Sequence, residues 1–197
     1  MEHKFIERTK KIALSQINVK EYYEFYRDII CPYLYKYILE DDTEIEINFN
    51  QKHFSHLLGL HKFREIKAYN SAKEVNDDIL NGKITFKGLY SANKDFVDKN
   101  RELRDRLTYF PILRTLLENV DTALKYDLNV IWNSKIEFSF LLKTDKISIL
   151  VYLAVKEINE NKKICVPVSL LVDRNDRFSK MNLKKLNITD RKILKKV

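Results

Sequence analysis

Glu44-Ile45-Glu46-Ile47-Asn48-Phe49-Asn50-Gln51-Lys52-His53-Phe54-Ser55-His56-Leu57-Leu58-Gly59 changes its period halfway. From Glu44 to Phe49 polar and apolar residues alternate strictly, which predicts a strand with one buried face. Asn50 is a residue type that caps helix N-termini, and Gly59 is one that stops helices. Together they predict a helix over about residues 51–58, fed directly by the strand.

Outward toward the C-terminus, Ser71 and Gly82 bracket a second short helix over residues 72–81. Residues 93–119 are rich in helix formers, with a break near Tyr109-Phe110-Pro111, where Pro111 suits the first turn of a new helix. The character then changes. Leu124-Lys125-Tyr126 fits a short strand, and residues 136–142, 147–156 and 163–172 fit three more. Asp145-Lys146 and Asn159-Glu160-Asn161 mark turns between them, giving an antiparallel meander. Outward toward the N-terminus, residues 4–39 favour helix. Tyr22, Tyr23, Phe25, Tyr26, Ile29 and Ile30 fall at helical steps, and Pro32 kinks or restarts the run. The tyrosines at 22, 23, 26, 33, 35 and 37 fit a packed amphipathic face better than a base-stacking platform. The expected architecture is α+β. A helical segment over residues 1–40 precedes a helix-packed antiparallel sheet over residues 41–197, all in one compact unit.

Composition narrows the function. The chain has 197 residues, 45% hydrophobic and 32% charged, enough for one core under a heavily charged surface. Its three glycines, Gly59, Gly82 and Gly88, form no phosphate loop, so Walker and Rossmann nucleotide sites are excluded. No apolar run reaches the length of a signal peptide or a membrane span, and a soluble protein of the cytoplasm is expected. Cys31 and Cys165 lie far apart in apolar surroundings and are expected to be free thiols. The net charge is +8, and nearly all of it lies after residue 173. There Arg174, Arg177, Lys180, Lys184, Lys185, Arg191, Lys192, Lys195 and Lys196 face only Asp176 and Asp190. Such an end suits a polyanionic partner or serves as a solvated tail.

Three of the four histidines fall at positions 53, 56 and 61. His53 and His56 share a helix face, whereas His61 lies beyond Gly59 with its direction open. Metal binding is disfavoured, because no Cys, Asp or Glu stands within the segment. Acid–base chemistry fits better, since imidazole titrates near neutrality. RNA cleavage without a metal needs a base for the 2′-hydroxyl, an acid for the 5′-oxygen and cations for the phosphorane. The competing reading is a structural His56 packed between helix and sheet. His53 and His61 are read as bystanders.

The run from Phe49 to Lys62, with Phe54-Ser55-His56-Leu57-Leu58-Gly59-Leu60 at its centre, resembles the strand–helix motif of the phage-associated Barnase–EndoU–colicin–RelE-like nucleases, in particular their fourth group. The likeness extends from Glu44 to about Val172. It implies a compact α+β fold and metal-independent RNA cleavage with no cofactor, and it places catalysis first on His56. Arg114, Lys125 and Ser169 are the candidates for phosphate binding, charge stabilisation and substrate orientation. Each has a structural alternative: Arg114 pairs with Glu118, Lys125 pairs with Asp121 or Asp127, and Ser169 satisfies backbone groups at the sheet edge. Lys62, Arg174, Arg177, Lys180, Lys184 and Lys185 are the candidate nucleic-acid contacts.

The expected function is thus a ribonuclease acting as a phage or mobile-element toxin or effector, with RNA as partner and an antitoxin or host protein as a further one. The alternative is a catalytically silent inhibitor or adaptor that binds a nucleic acid or a host protein. A DNA-binding regulator ranks last, because no helix-turn-helix pair is marked.

Overall fold

In the computed structural model, residues 4–126, 137–159, 164–175, 177–181 and 183–196 are described. The first helix, α1 (Val19–Phe25), starts at Asn18, whose side chain accepts from the Lys20 and Glu21 amides. A π-helical turn, Tyr26–Ile30, continues it. There the helical reading of residues 1–40 fails, because Tyr33–Leu39 is strand β1. Pro32 has no N–H for a helix to use. The residues after it are aromatic or branched and are buried at Tyr35, Tyr37 and Leu39, a two-residue period. β2 (Glu44–Asn48) returns antiparallel to β1, with Tyr35 opposite Ile47 and Tyr37 opposite Ile45.

Short helices follow β2: α2 (Phe54–Leu58), α3 (Arg64–Lys67), α4 (Ala72–Leu80), α5 (Phe86–Ala92), α6 (Lys94–Lys99), α7 (Arg101–Tyr109) and α8 (Leu113–Glu118). Several owe their starts to their own caps. Ser71 accepts from the Glu74 amide, Thr85 from Gly88 and Asn100 from Leu103. Pro111 sits in a 3-10 turn between α7 and α8, as its missing N–H allows. Among the described residues, no helix is long and apolar enough to cross a membrane.

The late strands are β3 (Thr122–Lys125), β4 (Phe140–Lys143), β5 (Leu150–Asn159) and β6 (Ile164–Asp173). They form the expected antiparallel meander. Of the strand expected over 136–142, residue 136 lies outside the described residues and residues 137–139 precede β4 without joining it; most of the turn at 159–161 lies outside the described residues. After the short helix α9 (Arg177–Lys180) comes β7 (Lys184–Lys195).

Two features correct the expected sheet. β2 and β6 run parallel, with Glu46 opposite Ile164 and Ile47 opposite Cys165, so the sheet is mixed. β7 pairs with β3 along one edge and with β1 along the other, and the order β1-β2-β6-β5-β4-β3-β7 closes into a barrel. The basic end is therefore a twelve-residue strand and not a tail. Leu186 is its one fully buried side chain among those described, so the apolar alternation that marks a strand is missing. Backbone pairing on both sides holds it instead.

The helices and one face of the sheet enclose a continuous core that draws on residues from Phe5 to Ile188, on both sides of position 40. Phe110 is its aromatic hub, with Tyr22, Phe25, Tyr26 and Phe54 between 5.2 and 6.3 Å away, centroid to centroid. The early tyrosines belong to this packing. Tyr22 donates to the Leu107 carbonyl at 2.9 Å, and Tyr37 donates to that of Leu117 at 2.7 Å. On the other face Leu141, Tyr152 and Leu171 form a smaller cluster with Phe178 of α9. Neither Cys31 nor Cys165 is in a disulfide among the described residues.

Candidate active site

The quoted stretch folds as a strand, a capped turn and a very short helix. The Asn50 side chain accepts from the Lys52 amide, while the Asn50 amide donates to His53 Nδ1 at 3.2 Å. This reciprocal cap fixes His53 at the helix entrance. Phe54, Leu57 and Leu58 are fully buried where α2 packs on β6, and α7 packs on both. His56 is left on the exposed side of α2.

Gly59 ends α2 with φ +76° and ψ 18°, a left-handed conformation that suits glycine. A Cβ there would lie 2.9 Å from Leu103 Cδ1 and 3.5 Å from Arg106 Cδ, so α7 rests directly on this glycine. The chain reverses and enters a 3-10 turn, Leu60–Lys62. The reversal stacks His61 on His56, with ring centroids 4.2 Å apart and planes 28° from parallel. The spacing leaves the direction of His61 open; in the structure its ring lies against that of His56.

Arg106 of α7 is only 5% exposed, and its charge reaches both rings. Burial lowers the His56 pKa, and the Arg106 charge adds to that. Burial also brings His61 down to about 4, reinforced by His56. Burial likewise lowers His53 to about 4, reinforced by Lys52. All three shifts favour the neutral ring over the charged one. Lys62 completes the group. Its pKa is lowered by burial and then by Arg106, with Glu102 opposing. Among the described residues, three buried polar atoms in this crossing have no side-chain hydrogen bond assigned: Ser55 Oγ, His61 Nδ1 and Arg106 Nε. Buried polar groups are nearly always paired. The Arg106 guanidinium thus brings a largely buried positive charge to the two stacked rings.

The other candidates fall into separate places. Arg174 pairs with Asp105 of α7. Arg101, Glu102, Asp105, Asp173, Arg174 and Arg177 line a cleft of about 160 Å³. Lys180 donates to the Asn175 carbonyl on its border at 3.1 Å. Glu102 lines this cleft and also acts electrostatically on Lys62 and Arg106, so Lys62, Arg174 and Arg177 are grouped about α7. Lys184 and Lys185 do not. Lys184 stands opposite Lys125 on the β3–β7 ladder and pairs with Asp41 at 2.9 Å, and Lys185 stands opposite Leu124.

Arg114 makes the ion pair with Glu118 that its four-residue spacing suggests, Nε to Oε1 at 2.6 Å. Ser169 is 1% exposed and donates to the neighbouring Leu170 carbonyl at 3.3 Å, close to a register shift between β5 and β6. Asp121 accepts from the Asp145 amide, and Asp127 lies outside the described residues. No hydrogen bond, ion pair or ring contact among the described residues joins Arg114, Lys125 or Ser169 to His56. Among those residues, no group of three or more His, Cys, Asp or Glu side chains is placed to hold a metal ion.

The sequence reading missed Arg106. A signal was present, since positions 103, 106, 107 and 110 share one helical stripe, and an arginine within an apolar stripe marks a buried charge.

The sequence model of a family described as phage-Barnase-EndoU-ColicinE5/D-RelE like nuclease4 matches residues 18–192, from the cap of α1 to within β7. Comparison with curated proteins and with solved structures gives no match.

Proposed function

Because the chain belongs to the phage-Barnase-EndoU-ColicinE5/D-RelE like nuclease4 family, we propose that it cleaves RNA by acid–base chemistry centred on His56, His61 and Arg106. The observation that carries this reading is the stacked histidine pair, with His56 exposed, beside a buried guanidinium whose charge reaches both rings. In this reading the scissile phosphate docks against Arg106 and Lys62. His56, the exposed ring, takes the proton of the 2′-hydroxyl as the 2′-oxygen attacks phosphorus. Arg106 and Lys62 offset the charge that builds on the phosphorane. The 5′-oxygen leaves with a proton from the Lys62 ammonium, which is restored through solvent by the proton that His56 took, while His61 steadies the His56 ring by stacking on it. The products are a 2′,3′-cyclic phosphate and a free 5′-hydroxyl. No step is assigned to a metal. Lys62, Arg174, Arg177 and Lys180 extend the phosphate track along α7. Such an activity suits a toxin or conflict effector of a phage or mobile element.

The test is incubation of purified protein with single-stranded RNA and tRNA, in the presence of a chelator, from about pH 5 to about pH 8, where imidazole titrates. Cleavage with cyclic-phosphate ends is expected, reduced about 10²–10⁴-fold in His56→Ala. His61→Ala and Arg106→Lys are expected to be impaired as well. RNA left intact across that range, or a folded His56→Ala variant as active as the parent, removes the proposal. In the first of these cases the silent RNA- or protein-binding reading takes its place.

A further inference from the structure

Helix α6 turns one ring outward. Val97 is fully buried, while the neighbouring Phe96 is 38% exposed. Among the described residues it is the one exposed Phe or Tyr. A lone exposed apolar side chain is common and calls for no function by itself. Three observations set Phe96 apart.

The ring is fixed. Phe63 is fully buried and meets it edge to face, with centroids 5.9 Å apart and planes at 83°. The helix beneath is pinned at both ends. Asn93 Nδ2 donates to the two Glu65 carboxylate oxygens at 3.1 and 3.0 Å. The Tyr90 hydroxyl donates to Asp98 Oδ1 at 3.0 Å, and Arg104 donates to the Asp98 carbonyl at 2.6 Å. The ring also lines an open cleft of about 640 Å³, together with Asp95, Lys99, Asn100, Arg101 and Glu102. Two cations and two carboxylates balance in that wall, so it offers no net field to a bare phosphate. What it offers is a flat apolar face bordered by donors and acceptors. A nucleobase has the matching parts, a π-face that stacks and an edge that hydrogen-bonds. Finally, the cleft adjoins the histidine site. Phe63 follows Lys62 in the chain, and Glu102 in the cleft wall acts electrostatically on both Lys62 and Arg106.

We infer that Phe96 is a stacking shelf for one unpaired RNA base on the leaving side of the cut. The inference rests on the ribonuclease reading and narrows it. Lys62 gives its proton to the departing 5′-oxygen, so the base beside Lys62 belongs to the nucleotide that leaves. A base can stack on a protein ring only when it is free of a partner strand, so the substrate is single-stranded at that nucleotide.

The experiment first uses the full chain carrying His56→Ala, so that nothing turns over. It is titrated with a fluorescein-labelled single-stranded RNA of mixed sequence, read by anisotropy. Phe96→Leu keeps an apolar side chain and loses the flat face, whereas Phe96→Trp keeps both. With the fold intact by circular dichroism, Phe96→Leu is expected to weaken binding about five-fold or more, the loss of one stacked base, and Phe96→Trp to retain it. In the active chain, an abasic nucleotide immediately 3′ of the cut is expected to slow cleavage by the parent and to make no further difference in Phe96→Leu. Equal affinity of Phe96→Leu and its parent overturns the shelf and leaves the ring to a protein partner. So does an abasic nucleotide that costs Phe96→Leu as much as the parent. Phe96-dependent binding by a protein that leaves RNA intact upholds the stacking and removes the ribonuclease reading. Cleavage that is indifferent to Phe96 removes the shelf alone.

Discussion

Gly59→Ala probes the turn that brings the two histidines together. Two costs add. A side chain at φ +76° is placed in the left-handed region, at about 1–2 kcal/mol. The new Cβ also meets Leu103 Cδ1 at 2.9 Å, and Leu103 is fully buried and cannot swing away. Overpacking of this kind costs about 1–3 kcal/mol. The total is about 2–5 kcal/mol. A chain of this size loses about 2–4 °C in Tm per kcal/mol, so a fall of about 4–20 °C is expected. Gly82 provides the control. Its φ is +74°, and nothing lies within 4 Å of an added Cβ, so Gly82→Ala carries the backbone cost alone, about 2–8 °C. Calorimetric melting of both variants beside the parent gives the comparison. If Gly59→Ala melts no lower than Gly82→Ala, α7 does not press on the turn as argued. The link from that packing to the placement of His61 then fails with it.

Other outcomes follow from the same structure. Leu186→Ala should cost about 2–4 kcal/mol in urea unfolding, while Ile193→Ala on the exposed part of β7 should cost less than about 0.5 kcal/mol; equal effects would contradict closure by β7. Because His53 and His61 are held down to about 4, the unfolded chain binds more protons between pH 4 and pH 6.5. Their contribution is therefore complete above about pH 6.5 and is lost as pH falls toward 4. A His53→Gln, His61→Gln variant should show a flatter loss of stability in that window, and an unchanged slope would count against burial as the cause. The Asp173 carboxylate accepts from the Arg177 and Phe178 amides at 2.8 Å each. Asp173→Ala should cost about 1–2 kcal/mol and speed hydrogen exchange at those two amides, with no change elsewhere in the sheet.

What could be read from the sequence was local. Asn50 and Gly59 bracket the helix of the histidine segment as their chemistry demands, Ser71 and Gly82 do the same for α4, and the three meander strands overlap the runs that alternation marks, β4 and β5 beginning three to four residues later. What escaped was non-local. Tyr33–Leu39 follows a helix of similar composition, and only pairing with β2 and β7 decides that it is a strand. β7 shows almost no apolar alternation, because backbone bonds to two neighbours do the work that burial does elsewhere. The site divides in the same way. His56 was visible through its motif. The approach of His61 depends on the turn at Gly59, and that of Arg106 depends on how α7 crosses α2. Neither is encoded in a short run of residues. The family match covers nearly all of the stretch on which these elements depend, residues 18–192.

Closure of the barrel by β7 also sets a timetable. β1 ends at residue 39, and its second partner begins at residue 184. At synthesis rates of about 5–20 residues per second, roughly 7–30 s separate the two on the ribosome. For that interval the β1 edge, with its alternating tyrosines, has no strand to meet, and a bare edge of this kind invites pairing with other chains. Contacts so distant in sequence are also slow to find once both strands exist. The lysines along β7 suit this late arrival, since charged side chains keep a strand from adhering to others before it reaches its own place.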